Sequence, residues 1–262
     1  MTHPTTTLEE PRNQVPADPS AALIAAITAD PSLPEVRETG GLVDQSGRPL
    51  GPRALRTRAR ILEATVAILE EKSMRDLRVI DIARRIGSSP ATFYQYFKDV
   101  NDVVLELASE VSDLADVVIE VIHGDWHGRE GYERGIQLAN LVIDHWDQYR
   151  PILRVRNNAA DEGDPDFMEV RRKAMLPIVT AFAEVIRESH AAHAEHEDEN
   201  DAEWKGGPMR PISGGMFLFT LLEATAIHHE IFSKRFQPMG EGRQQIVESA
   251  ATVIQSALTS AR

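Results

Sequence analysis

Between Ser89 and Lys98 the chain concentrates side chains able to meet a polar partner: Ser89, Thr92, Tyr94, Gln95, Tyr96 and Lys98, with Pro90 and Ala91 small beside them. Gln95 ends in an amide that both donates and accepts, the pattern that pairs with an adenine edge in a major groove. Thr92 and Ala91 suit a thymine methyl. Tyr94, Tyr96 and Lys98 end in groups that hold phosphate oxygens, contacts that fix register rather than read sequence. Upstream, Arg53, Arg56, Arg58 and Arg60 would add phosphate or minor-groove contacts.

These residues need a scaffold, and the flanking sequence spells one. Ile80, Ile82, Ala83 and Ile86 recur at helical spacing and give one buried face. Gly87 stops that helix, because glycine enters the left-handed conformation without a Cβ penalty. Ser88 and Ser89 follow as hydroxyl N-caps, and Pro90 sits where a first helical residue has no use for its N–H. A second helix, Pro90–Phe97, turns Phe93 and Phe97 inward and leaves Ala91, Thr92, Gln95 and Lys98 outward. Two short helices joined by a glycine-containing turn make a helix-turn-helix, whose second helix enters a DNA major groove. A longer helix, Arg53–Lys72, precedes the pair and buries Ala59, Leu62, Ala64, Val66, Ile68 and Leu69.

On these residues the segment Arg56–Val103 resembles the DNA-binding domain of the tetracycline-repressor (TetR) family of bacterial transcription regulators. Arg58, Ile61, Leu62 and Ala64 follow the family's opening helix with one residue of slack. Ile82, Ala83, Gly87, Ser89, Thr92, Tyr94 and Phe97 match the helix-turn-helix pattern, with Phe93 and Val103 standing for leucines. Ser88 stands where the family has Val, Ala91 where it has Gly and Tyr96 where it has His. Val100 replaces the Lys that usually meets a phosphate. The resemblance covers about a fifth of the chain. It implies an all-α fold with an N-terminal three-helix head and a larger C-terminal helical body for ligand binding and dimerisation.

Composition bounds the rest. The 262 residues carry a net charge of −13 and no cysteine, which excludes a disulfide framework, a thiolate nucleophile and a thiolate metal site. The charge is unevenly spread: Arg53–Lys98 holds ten Lys/Arg against five Asp/Glu. A basic module on an acidic body is the footprint of a DNA-binding head. No stretch approaches the roughly 18 apolar residues of a membrane span, and no basic-then-apolar leader opens the chain. A cytoplasmic protein without membrane contact is expected.

In chain order, residues 1–50 read as a largely disordered extension of net charge −4, a poor DNA ligand, with one island (Ser20–Ala29) of helical pattern. The head spans 53–100 and the body 101–262. Asp99–His123 reads as one helix linking the two. Arg129–Trp146, Tyr149–Ala159 and Asp166–His190 follow, the last with a kink at Pro177. Pro211–Phe236 and Glu241–Ala261 close the chain. Pro211–Phe236 is apolar on more than one face, so it must be buried twice, against its own body and a partner. The resemblance assigns these last two helices to a two-fold dimer contact, with Leu222 and Ile254 in it.

The second candidate site is an effector pocket between body helices, formed by Trp146, Tyr149, Asn157, Met175, Phe182 and Phe217. His190, His193 and His196 step by three within an acidic stretch, 189–204, that reads as a solvated loop rather than a zinc site, and no metal or other cofactor is expected. No G-x-S-x-G, phosphate loop or H-E-x-x-H is present, so no enzyme is read. The expectation is a homodimeric one-component regulator, a repressor released from a palindromic double-stranded operator by a small apolar or amphipathic effector. The alternative is an effector-independent DNA-binding protein whose body binds another protein. A body cavity closed to solvent, or filled by side chains, would favour that alternative.

Overall fold

The computed structural model describes residues 42–112, 114–194 and 209–259. The island Ser20–Ala29 and most of the histidine-bearing acidic stretch lie outside the described residues. Among the described residues the fold is all-α, with one isolated antiparallel bridge, Val43 to Pro49. The head comprises α1 (Pro52–Glu71), α2 (Val79–Arg85) and α3 (Pro90–Phe93), with α4 (Val100–Glu110) leading out of it. The body comprises α5 (Ala115–Ile122), α6 (Gly128–Asp161), α7 (Pro165–Ala194), α8 (Pro211–Phe236) and α9 (Arg243–Thr259).

The head forms where the local signals agree. Gly87 adopts φ 64°. Ser88 N donates to Ala83 O at 2.9 Å and Gly87 N to Arg84 O at 3.1 Å, the paired bonds that close a helix through a left-handed residue. Ser89 caps α3 by accepting from Thr92 N. The helix is shorter than its apolar spacing suggests: regular α geometry ends at Phe93, and Tyr94–Tyr96 continue as tight turns. Phe93 and Phe97 are fully buried. Ile80 departs from expectation at 51 % exposed, because α2 is too short to wrap its first turn onto the core.

Asp99–His123 is two helices. Asp99 caps α4 through Asp102 N at 2.8 Å, as its sequence implies. The helix then ends at Glu110, and Ser112 Oγ bonds back to Ala108 O at 2.6 Å. The β-branched run that follows, Val117 to Ile122, restarts as α5 and buries Val118, Val121 and Ile122. The apolar stripe is thus continuous in sequence but turns a corner in space.

α7 continues as one helix through Pro177, and a break in helical dihedrals occurs in α6, at Tyr149 (φ −116°, ψ 17°), two residues before Pro151. Proline crowds the turn before it, and Tyr149 absorbs the misfit. An ionic cluster braces the neighbouring turn. Asp147 receives His229 Nε2 at 2.8 Å and Arg243 Nη1 at 3.4 Å, and also pairs with Arg150, joining α6 to α8 and α9.

α8 packs on α6 and α7 with its glycines inward. A Cβ on Gly215 would overlap the Val179 carbonyl of α7, and one on Gly214 would meet Ile186. The close approach fixes which side of an all-round apolar helix faces home. Leu218, Leu222 and Ala226 are buried there. Ile212, Met216, Phe217 and Ile231 face out, 43 to 64 % exposed. Leu222 (2 % exposed) and Ile254 (0 %) therefore belong to the core of their own chain, which corrects their assignment to a contact between chains. Gly215→Val is expected to cost at least about 1–3 kcal/mol of stability through overpacking, read by chemical denaturation.

Candidate functional site

In the head, Ser89, Pro90, Ala91, Tyr94, Gln95 and Lys98 lie on one exposed segment, with Thr92 and Tyr96 half-buried beside them. The hydroxyls of Ser89 and Thr92 sit 3.2 Å apart, and Tyr94 is 52 % exposed. Lys98 uses its backbone N–H on Asp102 at 2.9 Å, which leaves the ammonium outside the cap. Arg56 is exposed at the start of α1.

Arg58 differs. Its guanidinium pairs with Glu106 of α4, lies 5.1 Å from the Phe97 ring centroid and is only 11 % exposed. It clamps α1 to α4, so it leaves the set of side chains available to an outside partner. Burial raises the Glu106 carboxyl above its ordinary 4.5, against the pull of Arg58. Its second oxygen, Oε1, is buried without a hydrogen-bond partner among the described residues.

In the body, a small cavity of about 50 Å³, partly open to solvent, lies among α5, α6, α7 and α8. Trp146, Val142, Met175, Ile178, Phe219 and Leu222 supply apolar walls, while Arg156, Arg171, His145 and Glu223 supply polar ones. Arg156, 7 % exposed at its side chain, faces Glu223 at 3.5 Å, and Asn157 Nδ2 donates to Glu223 Oε1 at 3.1 Å. Burial, helped by the Arg156 charge, pushes the His145 imidazole down to about 4. It is therefore neutral at ordinary pH.

Of the six residues read as an effector pocket, Trp146 and Met175 line this cavity. Asn157 orders its polar wall, and Tyr149 sits half-buried at the α6 bend with its ring 5.0 Å from His145. The other two lie elsewhere. Phe182 is fully buried in the core, and Phe217 is 64 % exposed on the outer face of α8. Their aromatic type was informative, but the direction of each depends on packing that no local pattern reveals. Ser112, His145 and Glu223 went unread: Arg156 reaches Ser112 across 44 positions and Asn157 reaches Glu223 across 66.

A hydrogen bond ties the cavity to the head: Arg156 Nη1 donates to Ser112 Oγ at 3.1 Å. The acceptor sits just past the end of α4, which carries the head.

Residues 61–107 match the family description "Bacterial regulatory proteins, tetR family". Residues 116–253, more than half the chain, match "Tetracyclin repressor-like, C-terminal domain". The chain belongs to the TetR family. It is a DNA-binding transcription regulator built as a helix-turn-helix head on a helical body. Over 73 residues it is 29 % identical to the uncharacterized HTH-type transcriptional regulator YvdT of Bacillus subtilis (strain 168). That match spans 28 % of this chain and 36 % of YvdT. A transcriptional regulator from Saccharomonospora viridis, solved in complex with choline, superposes with a TM-score of 0.55 at 17 % identity, over 77 % of this chain and 96 % of that one. A regulator from Pseudomonas aeruginosa PAO1 gives 0.55 at 16 % identity, over 81 % and 96 %. At these identities the likeness is one of fold. Among the described residues no helix of this TetR-family protein is long and apolar enough to cross a membrane.

The clamp at Arg58 makes a pH-dependent prediction. A carboxyl raised in the folded state binds protons more readily there than in the unfolded chain, so its effect on stability worsens as pH rises above its ordinary value. Removing Arg58 takes away the cation that opposes this rise. Arg58→Ala is expected to cost about 1–3 kcal/mol near neutral pH and clearly less near pH 5. Urea denaturation at the two pH values reads the difference. An equal deficit at both would leave Glu106 out of the explanation.

Proposed function

We propose that this TetR-family regulator is a homodimeric repressor, released from a pseudo-palindromic operator when a small apolar or amphipathic molecule enters the body cavity. The observation that carries the reading is the contact from the cavity residue Arg156 to Ser112, just past the end of α4. A molecule that moves this side chain changes how α4 is held, and with it the spacing of two heads on DNA. The apolar walls at Trp146 and Met175, with Arg156 and Glu223 as polar anchors, support an effector site, one that must widen from about 50 Å³ to admit a ligand. The regulator from Saccharomonospora viridis, with choline bound, supports a small-molecule effector by likeness of fold alone.

In the head, Gln95, Thr92 and Ala91 are assigned to base edges, and Tyr94, Tyr96, Lys98 and Arg56 to phosphates. Ser89 and Pro90 start the helix that carries them. Two heads on a two-fold axis fit half-sites about one helical turn apart. The outer face of α8, with Ile212, Met216, Phe217 and Ile231, supports a second copy as the partner that covers it. An internal, DNA-associated protein is expected to reside in the cytoplasm.

Three measurements test this reading. In gel-shift titrations, Tyr94→Ala and Lys98→Ala should weaken binding to every sequence, while Gln95→Ala relaxes preference at one base pair by about 1–3 kcal/mol. In sedimentation at low micromolar concentration, Phe217→Glu and Ile231→Glu should yield folded monomer, whereas Leu222→Glu should unfold the chain. Two folded variants that remain dimeric would move the interface elsewhere. For the cavity, Met175→Trp should blunt the release of DNA by effector and leave effector-free affinity nearly intact. Its loss of DNA binding without effector would make Met175 part of the core instead.

A further inference from the structure

The residues just before α1 fold back on themselves, within an extension expected to be largely disordered. Leu50 N donates to Leu42 O at 2.8 Å and Asp44 N to Arg48 O at 2.9 Å, and Val43 bridges Pro49. The Asp44 carboxylate gathers Ser46 N (2.8 Å), Ser46 Oγ (2.6 Å) and Arg48 N (3.0 Å). Those donors hold its carboxyl below the ordinary carboxylate range. Gly47, at φ 80°, makes the reversal possible.

This closed loop is attached to the recognition segment. Gln45 N donates to Gln95 O at 2.9 Å, and Gln45 Nε2 donates to Tyr96 O at 3.1 Å. The two carbonyls belong to the turns that end α3. None of residues 42–50 is buried, and Leu42 and Val43 are 51 % and 48 % exposed. The loop therefore adds nothing to the core, and polar bonds to the DNA-reading segment hold it in place.

We propose that the loop 42–50 is a second DNA-contacting element, laid beside the recognition helix so that Arg48 meets the phosphate backbone flanking each half-site. The inference rests on the DNA-binding reading of the head. Its geometry is prepared before binding. Both anchors of the loop, Gln95 and Tyr96 on one side and α1 on the other, lie within the segments that expose Tyr94, Lys98, Arg53 and Arg56. The charge is prepared as well. The Asp44 carboxylate is spent on donors of its own turn, while the exposed Arg48 offers a planar fork that suits a phosphate. Because hydrogen bonds already order the loop, the contact incurs little of the ordering cost that a flexible arm would meet.

The test starts from an operator duplex selected out of a random-sequence pool by the unaltered full chain. Selection that yields no sequence would refute DNA binding by this chain, and with it the reading beneath the proposal. With the operator in hand, affinity is measured against salt for the unaltered chain, R48A and Q45A, on the full duplex and on one trimmed of its flanks. R48A is expected to bind about tenfold more weakly near 150 mM salt, with a shallower log K against log salt slope and an unchanged base preference. Q45A, which frees the loop, should lose part of the same affinity. Trimming the flanks should weaken the unaltered chain but hardly affect R48A. Thermal melting should be unchanged, since the loop is outside the core. R48A that binds the full operator with the same affinity and salt slope, or more tightly, overturns the proposal.

Discussion

At Ser112 one hydroxyl makes two hydrogen bonds, donating to the Ala108 carbonyl at 2.6 Å and accepting from Arg156 at 3.1 Å. The first satisfies a carbonyl in the last turn of α4, one of the groups a helix end leaves without an intrahelical donor. The second ties that helix end to a guanidinium that is almost fully enclosed by the body. Arg156 in turn faces Glu223, which Asn157 also holds. A buried cation needs this full set of partners, because removing one leaves an uncompensated charge in a poorly solvated place. Where α4 stops is therefore coupled to how α6 and α8 sit around the cavity.

The head at the other end of α4 is built to move as one piece. Phe93 and Phe97 are completely buried, and their rings lie 5.7 Å apart under the Arg58 cation. Arg58 and Glu106 lock α1 onto α4, and the Asp99 cap fixes the entry into α4. Close-packed interiors transmit displacement instead of absorbing it. On the proposed reading, a shift at Ser112 would reach the recognition segment as a displacement of the whole head. Two further links brace the same junction: Arg75 pairs with Glu162, and Asn101 donates to Asp164 at 3.2 Å. Both lie at the surface and contribute little individually.

Legibility in the sequence followed the range of the interactions. The helix-turn-helix was readable because its determinants are neighbours: Gly87, the Ser89 cap, Pro90 and the inward phenylalanines act within a few residues of one another. The bounds of α1 came out within a residue for the same reason. Errors arose where the deciding partner is distant. Periodicity carried Asp99–His123 through as one helix, and only Arg156, far along the chain, shows why Ser112 ends it. Pro177 and Pro151 are equally visible as prolines, but the departure from helical dihedrals is recorded at Tyr149, beside the cluster at Asp147. α8 is apolar all round, so its pattern could not say that Leu222 faces in and Phe217 out. Gly214 and Gly215 decide that, through the Val179 carbonyl and Ile186 side chain they leave room for. The docked loop at 42–50 depends on Gln45 reaching a turn 51 positions away, and the polar, acidic composition of the extension around it pointed to disorder.

The same geometry limits how a molecule in the cavity could control the head. Tight binding shifts nothing by itself; the molecule must prefer one arrangement of α4 over another. Carrying a population from 1:99 to 99:1 takes about 5.5 kcal/mol of differential affinity. The apolar walls around Trp146 and Met175 remain in contact with a ligand wherever α4 points, so their contribution is largely common to both arrangements. The polar wall is not neutral in this way. Arg156 bonds Ser112 only while α4 ends where it does. A ligand group that competes for Arg156 trades that bond for its own, and that exchange separates the two arrangements energetically. On the proposed reading, affinity comes from the walls and control from Arg156.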